Sequence, residues 1–341
     1  IFTARQLLVN AEMVRLIRDA YQKVVEDELE KGASRDRAED YAKAISTYLT
    51  LILGKLVNYN SILTSWNAPR GVLRGTFDTH AYAWTWDFCE VGVIPENANP
   101  AWAVRNELKA LRGIVKRLKD SHQNPIILFG DAEDLAGAES QAEAADLDIV
   151  FIDPPYLDNV QYSEISEYFY VWFKRVLRDV YPEAFSFPEV PKSEEAVANR
   201  VRHGDRELAR QFYQEKMLRI FKAVHRALRD GGVFLLWFAH RTGRAWASTV
   251  RALLDAGFSI RALWGVRSEM ERSVHISGKA ALRTSIIFVC RKRQLESAGY
   301  VQDALSELTR TIDAKLIELD EMGLVGPDFI MGAMAHALRI A

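Results

Sequence analysis

Along the first 68 positions apolar residues recur at helical spacing. Leu7, Leu8, Ala11, Val14, Ile17 and Tyr21 share one face of a segment that stops at Gly32, and Ser34 serves as N-cap for a second helix running through YAKAISTYLTLILGKLV at 41–57. Between 58 and 91 the pattern gives way to a stretch rich in turn residues, Trp and Tyr, which reads as loop and short helix. From about residue 100 strand and helix patterns alternate. A helix at 103–120 precedes the apolar run PIILF at 125–129 and the turn GDAEDL at 130–135. A second run, DIVFI at 148–152, is followed by a helical pattern at 163–179. A long helix at 206–230 leads into the strand VFLLWFA at 233–239, then a helix at 245–258 and two strands at 259–266 and 284–293. The chain from 301 onward reads as helix, a buttress or partner-docking surface.

Repeated strand and helix units predict an α/β fold with a doubly wound sheet, whose ligands sit at the carboxyl ends of the strands. The expected organisation is a helical, aromatic amino-terminal region at 1–99 packed on a catalytic core at 100–298, with carboxyl-terminal helices at 299–341. Both GDAEDL and the DPPY at 153–156 fall at predicted strand ends. The run Ile149 to Ile152 is apolar throughout, as in a central strand covered on both faces, and it ends on an acid.

That acid has a chemical use. The exocyclic amine of a nucleobase is a poor nucleophile because its lone pair is delocalised into the ring. A carboxylate and a backbone carbonyl, each accepting one N–H, favour the pyramidal amine on which positive charge develops in the transition state. Asp153 supplies the carboxylate. The carbonyl of Pro154 supplies the second acceptor, since Pro154 and Pro155 stiffen the turn. Tyr156 can then stack on an extruded base.

Composition narrows the setting. A net charge of −2 excludes a chain that is basic all over, so nucleic-acid contact must rest on local patches. Arg200, Arg202, His203, Arg206 and Arg210 form one such set beyond a proline-stiffened stretch, opposed by Glu183, Glu189, Glu194 and Glu195; Arg241, Arg244, Arg267 and Arg272 form another. Two cysteines, Cys89 and Cys290, far apart and outside any CxxC pattern, exclude a zinc ribbon and fit a reducing cytoplasm. The seven histidines lack metal-ligand spacing, so no metal is expected. No apolar run is long enough to span a bilayer.

DPPYLDNVQYSEISEYFYVWFKR at 153–175 resembles the catalytic motif of S-adenosylmethionine-dependent amino-methyltransferases. It is similar in particular to the adenine-specific DNA methylases whose full-length members carry a zinc-ribbon insert. The resemblance extends to FTARQLL at 2–8, WDFCE at 86–90, VANRVRHG at 197–204, FAHRTGRAW at 238–246 and SIIFVCRKR at 285–293. It implies a Rossmann-like methyltransferase sheet with helical additions at both ends. It also implies methyl transfer to the N6 amine of adenine in flipped-out duplex DNA, with cytosine N4 as a second candidate and RNA or a protein amide as further ones. Asp153, Pro154, Pro155 and Tyr156 then form the amine site. Asp131 matches the acid that contacts the cofactor adenine, with the Ala132 N–H beside it, and Asp153 also faces the cofactor. Tyr162 and Ser163 belong to the rim of the base pocket. His240, Arg241 and Arg202 lie where DNA contacts are expected, and Trp86, Asp87 and Glu90, spaced to share a helical face, could approach the cofactor.

One departure stands against these matches. The family holds the methionine part of the cofactor on a glycine-rich loop of the form D-P-F-x-G-x-G, and none of the 19 glycines forms it. Strands one and two of the expected sheet are missing with it. The expectation is therefore that a second polypeptide or an upstream segment supplies this loop, unless the missing strands are replaced in some other way. A non-catalytic DNA-binding or scaffold subunit that retains the fold is the alternative from a different class.

Overall fold

The computed structural model describes residues 1–92, 99–119, 125–135, 146–240, 242–267, 284–293 and 301–323, with residues 329, 332, 333, 336 and 337. The chain forms two compact units, residues 1–127 with 161–195 and residues 128–160 with 196–341. This division differs from the sequence-based one: the helices at 100–118 and 162–177 belong with the amino-terminal region.

The first unit is helical. Helix α1 (Ala4–Glu30) opens on a reciprocal cap, Thr3 Oγ1 accepting the Gln6 N–H while Gln6 Oε1 accepts the Thr3 N–H. Helix α2 (Arg35–Tyr59) is capped by Ser34, as its sequence predicts. A short antiparallel pair, β1 (Ser65–Asn67) and β2 (Val72–Arg74), turns at Gly71, whose φ of 60° suits glycine. Helix α3 (Pro100–Leu118) and α4 (Tyr162–Leu177) complete the unit. Val14, Ile17, Leu53, Val57, Tyr168 and Trp172 form its main core. Gly54 lets α2 approach α4 closely, since a Cβ there would stand 2.7 Å from the Phe173 ring.

The second unit holds a mixed four-stranded sheet in the order β3-β4-β6-β5, formed by β3 (Leu147–Ile152), β4 (Leu228–Phe238), β5 (Phe258–Arg267) and β6 (Thr284–Lys292). Strands β3 and β4 run parallel, pairing Ile149 with Val233 and Ile152 with Leu236; β6 is antiparallel to both β4 and β5. A short helix α5 (Arg200–His203) leads into α6 (Arg206–Ala227), and α7 (Gly243–Asp255) follows β4. Helices α6 and α7 share one core with Phe234, Leu236, Phe238, Phe258 and Phe288, the buried face of the sheet. Helix α8 (Val301–Glu321) follows the sheet in the chain.

Two expectations are corrected here. Residues 125–129 are not a strand: they belong to no ladder, and Ile126, Ile127 and Phe129 are exposed. A strand gains its stability from hydrogen-bonded neighbours, and among the described residues none pairs with this run. The sheet is also not covered on both faces by the described helices. Among the described strands β3 lies at the edge, and opposite the α6–α7 core Ile149 is 62 % exposed, Phe151 53 % and Trp264 55 %.

Candidate functional site

The chain leaves β3 directly into the DPPY turn. Asp153 is exposed, while Pro154 is buried. The Tyr156 hydroxyl donates to Asp153 Oδ1 at 2.6 Å, and its ring packs edge-on against Phe238 at 5.6 Å. The tetrad thus closes on itself, with the phenol held at one oxygen of the Asp153 carboxylate.

The turn is held from behind. Leu157 takes a φ of 57°, in the left-handed region, without being glycine. Such a conformation costs about 1–3 kcal/mol and persists only where neighbours enforce it. Those neighbours are visible. The Pro155 carbonyl accepts the Leu157 N–H at 3.2 Å and the Tyr213 hydroxyl at 2.8 Å; the Leu157 carbonyl accepts the Ala198 N–H at 2.8 Å; the Tyr156 carbonyl accepts the Asn159 N–H at 3.1 Å. Tyr213, on α6, is 3 % exposed, and burial pushes its phenol far up, which keeps it a donor.

His240 follows β4 and is buried. Its Nδ1 accepts the Thr242 N–H at 3.1 Å, which leaves the ring proton of a neutral imidazole on Nε2, 3.9 Å from Asp158 Oδ1. Its carbonyl accepts the Trp246 Nε1–H at 2.8 Å. His240 therefore fixes the start of α7 through Thr242 and Trp246. A cavity of about 830 Å³ opens beside them, lined by Leu157, Asp158, Tyr213, His240 and residues of α6 and α7 that include Arg210, Arg244 and Arg251. Glu207, Glu215 and Asp255 also line it, so its charge is mixed.

Asp131 is engaged by the protein itself. Its Oδ1 accepts the Glu133 N–H at 2.9 Å, opening a single 3₁₀ turn, and its Oδ2 lies 2.5 Å from Lys216 Nζ. Lys216, 3 % exposed on α6, also pairs with Glu133 at 2.7 Å, and Arg219 reaches Glu133 at 2.8 Å. Burial alone would raise the Asp131 carboxyl, but the Glu133 N–H and the Lys216 ammonium together hold it below the usual range. Glu133 is lowered in the same way against burial, by Arg219 and Lys216.

The remaining candidates are dispersed. Ser163 is buried in the helical unit in the first turn of α4, where its N–H and hydroxyl donate to the Glu195 carboxylate at 2.8 and 2.5 Å, so that Glu195 satisfies a helix N-terminal N–H. Tyr162 starts that helix and is exposed. Arg202 lies in α5, its N–H accepted by Asn199 Oδ1. Arg241 and Arg272 fall outside the described residues, as does the side chain of Arg267. Trp86, Asp87 and Glu90 do not share a helical face, since the segment is not helical; Glu90 binds Thr3 and Arg5, and Trp86 is fully exposed. Both cysteines are free thiols, and burial pushes Cys290 up to about 12.

Tyr213, Lys216 and Asp158 were not singled out by sequence. The signal for the first two was present: a phenol and an ammonium interrupt the buried stripe of α6 at Ala209, Met217, Ile220 and Val224. A polar group at such a position needs a partner.

No protein-family model, curated protein or solved structure matches this chain. Among the described residues no helix is long and apolar enough to cross a membrane, and no group of His, Cys, Asp and Glu could hold a metal.

Proposed function

We propose that this chain carries the amine site of an S-adenosylmethionine-dependent DNA methyltransferase of Rossmann-like fold, acting on the N6 amine of adenine extruded from the duplex. The observation that carries the reading is the turn at the end of β3. It presents Asp153 at the surface, backs it with a strained and fully braced loop, and holds an aromatic ring beside it. Asp153 Oδ1, now holding the Tyr156 hydroxyl, is the acceptor for one amine N–H, and the Pro154 carbonyl is the other. An entering base displaces the phenol from the carboxylate and stacks on the Tyr156 ring. The amine proton lost on methylation leaves through Asp153.

The cofactor half does not fit these residues alone. The Asp131 carboxylate is committed to Lys216 and the Glu133 N–H, and the sequence holds no D-P-F-x-G-x-G loop. The reading therefore includes a second polypeptide, or a segment upstream in a longer chain, that supplies the glycine-rich loop. The open apolar face and free edge of β3 favour such a partner, since parallel strands are normally covered on both faces. The same face would serve a non-catalytic DNA-binding or scaffold subunit.

Cofactor binding by isothermal titration separates these readings, measured on this chain and on its complex with the upstream or neighbouring polypeptide. Binding only in the complex, with methyl transfer abolished by Asp153→Ala while DNA affinity stays within a few-fold, is the expected result. Near-normal transfer by Asp153→Ala would remove the mechanism, and a complex that binds DNA but never the cofactor would establish the scaffold reading.

A further inference from the structure

Helix α3 is anchored at its start. Trp102 packs edge-on against Tyr59, with Lys55 Nζ over its ring, and Ala103 is buried with Ile52 and Leu56 of α2. Beyond them Val104, Leu108, Leu111, Val115 and Leu118 recur at alternating intervals of four and three. At 3.6 residues per turn they share an arc of about 80° and run for about 21 Å along the helix. The row lies open to water, Val115 being 57 % exposed and Leu118 47 %.

A second row stands beside it. Lys109, Arg112, Lys116 and Lys119 occupy the adjoining arc, on one flank of the aliphatic row. No carboxylate stands three or four positions from Lys109 or Arg112, and among the described residues no ion pair engages either of them or Lys116. Elsewhere in this unit exposed cations are neutralised in place: Arg15 pairs with Glu12 and Asp19, Lys23 with Asp27, and Lys43 with Asp40. A solvated helix face mixes its charges in that way. Residues 101–119 instead carry six cations and one anion, in a chain of net charge −2.

An aliphatic row in water and a like-charged row without counterions both cost the helix stability. Duplex DNA would neutralise the cations and leave the aliphatic row wet. A helix lying on a bilayer spreads cations over its polar face, whereas these four keep to one flank and the other holds Glu107 and Ile114. A second copy of α3 would add to the excess of cations. We propose that α3 docks side by side with an acidic amphipathic helix of another polypeptide. The aliphatic seam of that helix packs on Val104 to Leu118, and its row of Asp or Glu faces Lys109, Arg112 and Lys116. The surface does not depend on the methyl-transfer reading.

Fluorescence anisotropy on the full chain tests it with a labelled synthetic peptide of about three heptads, Leu at a and d and Glu at e and g, whose own charges keep it monomeric. The chain should bind this peptide saturably and should not bind one with Lys in place of Glu. Lys109→Glu with Lys116→Glu should weaken the Glu peptide about tenfold and create binding of the Lys peptide, an exchange that loss of structure does not produce. Leu108→Ser with Val115→Ser, both at exposed positions, should weaken the Glu peptide about tenfold and leave the thermal midpoint in place. The charge exchange decides the matter if the serine variant loses the helix. No saturable binding of the Glu peptide, or binding that neither variant weakens, overturns the proposal. So does an affinity for duplex DNA or phosphatidylserine vesicles that exceeds that for the peptide and is lost in Lys109→Glu, which would assign the helix to nucleic acid or a membrane. A dimer in sedimentation equilibrium that Val115→Ser dissolves would assign it to a second copy and overturn the proposal as well.

Discussion

Replacing Tyr213 by Phe removes one oxygen and leaves the ring in place, so the loss is confined to the 2.8 Å hydrogen bond to the Pro155 carbonyl. A buried neutral hydrogen bond contributes about 1 kcal/mol, and a carbonyl left with poorer partners adds up to about 1 more. The Pro155 carbonyl keeps the Leu157 N–H at 3.2 Å, so a total of about 1–2 kcal/mol is expected. That equals the scale of the strain stored at Leu157, whose φ of 57° is held by the same bonds. Losing one brace should therefore loosen the turn locally rather than unfold the sheet.

Native-state hydrogen exchange reads this directly. The amides of Leu157, Asn159 and Ala198, all bonded within the turn, should exchange roughly tenfold faster in Tyr213→Phe, while amides in the middle of β4 keep their protection. Tyr170→Phe is the control: its hydroxyl also donates to a carbonyl, that of Phe187, but at an exposed site, where less than about 0.5 kcal/mol is expected. Unchanged exchange at Leu157 and Ala198, or an equal effect from Tyr170→Phe, would refute the view that Tyr213 holds the turn. In the proposed methyltransferase complex the same variant should lower kcat and leave KM for DNA near its original value.

Lys216→Met leaves Asp131 and Glu133 without their buried cation and should destabilise the chain by about 3 kcal/mol in chemical denaturation, well beyond Arg219→Met. The two lowered carboxyls contribute stability that is present above their unfolded values near 4 and is lost as pH falls through their folded values. The gap between native protein and Lys216→Met should accordingly narrow below about pH 4 in a denaturation series. Gly54→Ala forces a Cβ to within 2.7 Å of Phe173 and should cost about 1–3 kcal/mol despite the better helix propensity of alanine, read as a lower thermal midpoint. Phe151→Ser, on the open sheet face, gives up the edge-on contact with Trp237 and should cost about 1 kcal/mol in chemical denaturation.

Much of this was legible one residue at a time. Ser34 marks a helix start by local chemistry and the structure uses it, whereas the caps at Thr3 with Gln6 and at Asn99 with Pro100 carry the same signal unread, the latter helix being expected only from 103. The apolar run ending at Asp153 does place that acid at the carboxyl end of a parallel strand. Non-local facts were less accessible. The antiparallel return of β6 between β4 and β5 depends on pairing across the sheet, and the left-handed Leu157 is enforced by Tyr213 and Ala198, far off in sequence. Asp131 and Ser163 had the residue types for ligand contact, but Lys216 and Glu195, 85 and 32 positions away, engage them.

The failure at 125–129 and the success at 147–152 have one physical cause. Both runs have the composition of strands buried on both faces, and hydropathy reports that preference without saying what supplies the cover. In β3 half of the preference is met: Val150 and Ile152 pack on the α6–α7 core, while Ile149 and Phe151 stand exposed on the other side. At 125–129 none of it is met within the described residues, and no strand forms. Apolar side chains left open to water at such positions forgo much of the burial that would stabilise the fold. A partner that extends the sheet beyond β3 would cover Ile149 and Phe151, which is why the open face and the missing glycine loop lead to the same proposed second polypeptide or upstream segment.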